Sequence, residues 1–129
     1  MNSEIVIVHD KLTLVMQTVF KIIKTIFHSN PLLLDYQSII NDERNIIPKL
    51  LLVDHTIFNK NINFEIEQLR NNFPNASIIV ISLDNNQFFE NIISKLDFIE
   101  LLNIWNCNQS IAQLIATRVE NKLNIKRFN

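Results

Sequence analysis

The chain has 129 residues and contains no glycine, whereas an average protein of this length would carry about nine. Apolar residues make up 47% and charged residues 19%, and the net charge is -1. This composition suits one folded domain with a real core, and it argues against general nucleic-acid binding. Loops that cradle phosphate need glycine, so the Walker A loop, the dinucleotide fingerprint, the nucleophile elbow and the EF-hand turn are excluded in their usual forms.

The single cysteine and the apolar segments bear on the compartment. Cys107 cannot form an internal disulfide, which fits a reducing environment. The first residues lack the features of a signal peptide, and the longest apolar segment, residues 12–27, is interrupted by Gln17, Lys21 and Lys24. We therefore expect a cytoplasmic protein with no membrane and no nucleic acid among its partners.

Five short apolar runs alternate with longer segments of helical periodicity. In chain order, the predicted strands are residues 5–8, 32–34, 50–53, 77–81 and 98–102. The helical patterns run through residues 12–27, 38–47, 66–73, 88–96 and 111–123, the second being short and weak. Asp84 or Asn85 is the expected N-cap of the fourth helix.

Strands that are apolar on both faces and alternate with helices predict a parallel sheet covered on both sides. With right-handed crossovers the sequence predicts a doubly wound α/β domain of strand order 2-1-3-4-5 over residues 1–123, followed by a tail, residues 124–129. Left-handed turn positions must be filled without glycine, and asparagine is the next most tolerant residue. The candidates are Asn30, Asn59, Asn61, Asn85 and Asn106.

Ligands of open α/β sheets bind beyond the carboxyl ends of the strands, so the residues that follow each strand are candidate site residues. They are His9 and Asp10 after the first strand, Asp54, His55 and Thr56 after the third, Ser82 and Asp84 after the fourth, and Asn103 after the fifth. Two carboxylates at one sheet edge repel each other, and Mg²⁺ would relieve this. A carboxylate beside Mg²⁺ can accept a phosphoryl group, which a nearby hydroxyl can then contact.

The pattern resembles the response-regulator receiver domain of two-component signal transduction over residues 4 to about 123. The matching segments are IVIVHD at 5–10, LLLVD at 50–54 and IVIS at 79–82, with a step of 28 residues from Asp54 to Ser82. The resemblance implies a flavodoxin-like (βα)5 fold, phosphoryl transfer from a histidine kinase to Asp54, and Ser82 as the hydroxyl that senses the phosphoryl group. It also implies Mg²⁺ bound by Asp10, Asp54 and the backbone carbonyl of Thr56.

The chain departs from the family at two positions where the family has a charged residue. His9 stands where the family has its first acidic residue, and Asn103 falls where the family has a lysine. No lysine lies between Lys95 and Lys122, and asparagine cannot supply the missing charge. We therefore expect an atypical stand-alone receiver, or pseudo-receiver, that acts mainly through protein–protein contacts. Its phosphorylation at Asp54 would be compromised, and it would have at most phosphoacceptor or autodephosphorylation activity.

Other interpretations stay open. A fully phospho-competent receiver and a small metal-dependent α/β hydrolase are the alternative functions. Asp10 could instead cap the first helix, and Asp54 could be a turn residue without chemistry. His9 and His55 could join the two aspartates in a transition-metal site, although neighbouring strand residues point to opposite faces. His9, His55 and Asn103 are the candidate pocket residues around the aspartates.

The distribution of charge predicts an interaction face. Residues 84–100 are acidic and residues 118–129 are basic. The resemblance implies contacts through the fourth helix, fifth strand and fifth helix, where Glu90 and Glu100 would lie near Arg118 and Lys122. We expect a homodimer or another signalling protein to bind there.

Overall fold

The computed structural model describes residues 4–39, 46–58, 60–84, 86–104 and 110–123. The strands are β1 (Ile5–His9), β2 (Leu32–Asp35), β3 (Leu50–Asp54), β4 (Ser77–Ser82) and β5 (Ile99–Asn103). The helices are α1 (Leu14–Phe27), α2 (Tyr36–Ile39), α3 (Ile62–Asn72), α4 (Gln87–Ile93) and α5 (Ile111–Leu123), with a short 3-10 helix at His55–Ile57.

The five strands form one parallel sheet in the order β2-β1-β3-β4-β5. This confirms the predicted flavodoxin-like architecture and strand order. The predicted second helix, residues 38–47, is wrong at its start, because α2 already begins at Tyr36. Its middle lies outside the described residues, as does the predicted tail. No helix in the described segments is long and apolar enough to cross a membrane.

The alternation of side chains along the strands builds two cores. On one face of the sheet, Val8, Val53 and Val80 pack with α2, α3 and α4. On the other face, Ile7, Leu52 and Ile79 pack with α1 and α5. The three inner strands, β1, β3 and β4, bury both of their faces, which explains why their runs are continuously apolar rather than alternating.

Polar side chains accept backbone N–H groups at the starts of four helices, and at α5 Ser110 Oγ accepts the Gln113 N–H. Thr13 Oγ1 accepts the Met16 N–H at the start of α1, Asn61 Oδ1 accepts the Phe64 N–H at α3, and Asn86 Oδ1 accepts the Phe89 N–H at α4. The suggestion that Asp10 caps the first helix is therefore wrong, and so is the prediction of Asp84 or Asn85 for the fourth. In both cases the N-cap residue lies later in the chain than predicted.

A histidine adopts the left-handed backbone conformation at the C-terminus of α1. Among the described residues only His28, at the C-terminus of α1, has a positive φ, of 50°. The prediction of asparagine is wrong for Asn30, which has no positive φ, and for Asn61, which has a φ of −142°. Asn59, Asn85 and Asn106 lie outside the described residues. Asparagine serves here as an N-cap, where its short side chain accepts a backbone N–H.

Candidate functional site

The carboxyl ends of β3, β4 and β5 bring three of the predicted site residues to one edge of the sheet. Asp54 is the last residue of β3, and Ser82 and Asn103 are paired in register at the ends of β4 and β5. His55 follows Asp54 directly and opens the 3-10 helix. The sheet topology thus brings together side chains from three separate stretches of sequence.

Asp54 is almost completely buried, with 5% of its surface exposed. Its Oδ1 accepts the Thr56 N–H at 3.1 Å, which caps the 3-10 helix. Its Oδ2 accepts the Thr13 hydroxyl at 3.3 Å. Since Thr13 also caps α1, its hydroxyl joins the end of β3 to the start of the first helix. Both carboxylate oxygens of Asp54 are thus engaged within the fold.

Ser82 is held by the turn that follows it. Its hydroxyl donates to the Asp84 carbonyl and accepts from the Asp84 N–H, both at 3.0 Å. Asn103 Nδ2 donates to the same Asp84 carbonyl at 3.0 Å. This hydrogen bond from Asn103 stabilises the loop after β4. The Ser82 side chain is 2% exposed, which leaves it out of contact with solvent.

His55 lies between this turn and the helical layer. Its Nδ1 is 3.4 Å from the Ser82 hydroxyl, and its ring packs edge-on against Phe89 with centroids 4.5 Å apart. Burial lowers the pKa of His55 below its ordinary value of 6.5, against the raising effects of Asp84 and Asp54. The imidazole is therefore neutral at neutral pH.

Asp10 and Asp54 line different cavities. A cavity of about 150 Å³ beside Asp54 is lined by Thr13, His55 and Asp84. Asp10 lines a separate cavity of about 250 Å³ together with Tyr36 and Glu65. Thr13, the N-cap of α1, is the residue of this segment whose hydroxyl contacts Asp54.

The predicted metal ligands are Asp10, Asp54 and the backbone carbonyl of Thr56. The described residues contain no group of three or more His, Cys, Asp or Glu side chains suited to hold a metal ion. Each oxygen of Asp54 accepts one hydrogen bond, from the Thr13 hydroxyl or the Thr56 amide N–H. His9 Nδ1 is buried without a hydrogen-bond partner among the described residues, so it does not meet His55 or the aspartates through that atom.

The predicted interaction residues pair with one another inside the chain. Arg118 Nη1 lies 3.0 Å from Glu100 Oε2, and Lys122 Nζ lies 4.0 Å from Glu100 Oε1. Glu90 is exposed on α4. Glu100 of β5 and the two basic residues of α5 therefore neutralise part of each other's charge.

Sequence reasoning missed Thr13 and Phe89 as neighbours of the site. Thr13 carries one local signal, since threonine is among the preferred N-cap residues. Nothing local links it to Asp54, which is 41 positions away. The contact of Phe89 with His55 likewise depends on how α4 packs on the sheet.

Comparison with known proteins finds no match: no protein-family model, no curated protein and no solved structure is similar to this chain. The class of protein is thus defined by the fold itself, a parallel α/β domain of flavodoxin-like topology.

Proposed function

We propose that this chain is an atypical receiver-like signalling module that acts through protein–protein contacts and does not depend on phosphorylation of Asp54. The strand order and the placement of Asp54 and Ser82 at neighbouring strand ends support the receiver-like class. One observation carries the rest of the proposal. The Asp54 carboxylate is buried and serves as a structural acceptor for Thr13 and Thr56.

The neighbours of Asp54 support the same function. A phosphoryl group on Asp54 would need a hydrogen-bond donor and a compensating positive charge. The Ser82 hydroxyl is tied to Asp84, and Asn103 has an uncharged amide that donates to the Asp84 carbonyl. Burial keeps His55 uncharged at neutral pH. Adding a dianionic group here would therefore be costly.

The runner-up is a phospho-competent receiver that takes phosphate from a histidine kinase. It is favoured by the retained Asp54 and by the cavity beside it. A metal-dependent hydrolase has less support. Ser82 and His55 form the nearest nucleophile–base pair, but the serine is buried and donates its proton to a carbonyl, so it is poorly placed to attack a substrate.

Chemical phosphorylation distinguishes the two receiver functions. The folded chain is incubated with acetyl phosphate and Mg²⁺, and its intact mass is followed beside that of Asp54→Asn. We expect no phosphorylated species in either protein. A stoichiometric phosphoryl adduct that Asp54→Asn abolishes would refute phosphorylation independence and establish the runner-up.

We further propose that the surface formed by α4, β5 and α5 supports homodimerisation or binding of another signalling protein. Phe88, which is 70% accessible, and Glu90 are exposed on α4, while Glu100 of β5 pairs with Arg118 of α5. Exposed aromatic side chains are typical of interaction surfaces.

Sedimentation velocity over a range of concentrations tests this surface. We expect the chain to self-associate and Glu90→Lys to weaken the association several-fold, while Glu67→Lys, an equal charge change on α3, leaves it unchanged. A monomer at all concentrations would exclude the homodimer. If another signalling protein is then identified as the partner, Glu90→Lys should abolish its binding and Glu67→Lys should leave its binding unchanged.

A further inference from the structure

We draw no further inference here: the strongest candidate, the groove between the start of α1 and the start of α5 that Leu14, Leu83 and Ile111 line, is apolar and exposed, but nothing in the structure shows what covers it.

Discussion

At the scale of single residues, the site is decided by short polar contacts between distant parts of the chain. Asp54 lies at the carboxyl end of an apolar strand, as the last residue of β3. Its contact with Thr13 makes it a structural link between β3 and α1. The same residue type at the same strand end can therefore be a phosphoacceptor or a capping group, depending on what its oxygens contact.

The link through Thr13 gives a first prediction. Thr13→Ala should destabilise the protein by about 1–2 kcal/mol, because it removes an N-cap and leaves an oxygen of buried Asp54 without its donor. Thr18→Ala is a matched control on the exposed face of α1, where we expect a change within about 0.5 kcal/mol. Urea denaturation measures both, and equal losses would contradict the role of Thr13.

His28 shows how a chain without glycine ends its first helix. A non-glycine residue in the left-handed region pays a steric cost of roughly 1 kcal/mol. His28→Gly should therefore be more stable than His28→Ala by about 1 kcal/mol in urea denaturation. Both variants lack the imidazole, so the difference isolates the backbone. Equal stability of the two would show that the left-handed conformation at this position is not costly.

At the scale of elements, burial on both faces of the sheet explains the apolar runs. Residues of β4 alternate between the two cores, and Ile79, which faces α1 and α5, is fully buried. The central strands therefore leave little space for changes in side-chain volume.

Removing one methylene group from the central strand tests this packing. Ile79→Val should cost about 1 kcal/mol, from lost burial and from the small cavity it leaves. Ile47→Val makes the same chemical change at a side chain that is 69% exposed, where we expect less than about 0.5 kcal/mol. Thermal and urea unfolding measure both changes in the free energy of unfolding. If Ile79→Val causes no loss of stability, the sheet is loosely packed.

At the scale of the whole molecule, buried titratable groups make stability depend on pH in opposite directions. Burial lowers the pKa of His55, so the unfolded chain takes up its proton first and stability falls as the pH drops below 6.5. Burial raises the pKa of Glu65, so the folded chain holds its proton more tightly than the unfolded chain. The stability contributed by protonated Glu65 is full below the ordinary pKa of 4.5 and is lost as the pH rises through the folded value.

Glu65→Gln removes one of these two effects. The stability of the variant relative to the unchanged protein should rise as the pH increases from 4.5 toward neutrality, since glutamine carries no charge but can still accept the Asn61 N–H. His55 is present in both proteins, so its contribution cancels. Urea denaturation at several pH values measures the difference, and a constant or falling difference would contradict the raised pKa of Glu65.

The strands and their order could be predicted because hydrophobic period and β–α alternation are local properties. Leu50–Asp54 and Ser77–Ser82 lie where the apolar runs place them, since continuously apolar segments have to be buried between two layers of helices. Residue types at the strand ends, including Asp54 and Ser82, were predictable for the same reason.

The contacts of those residues were decided only by the tertiary structure. The hydroxyl of Thr13 reaches Asp54, and the amide of Asn103 reaches the carbonyl of Asp84. Asp10 lines the cavity of Tyr36 and Glu65 instead of the one beside Asp54. The physical reason is that a hydrogen bond forms only when the donor and the acceptor are placed to within a few tenths of an ångström. That placement depends on where each helix begins and on the path of each loop. The sequence by itself thus determined the sheet and the residues at its edge, and the packing of the helices decided what those residues bind.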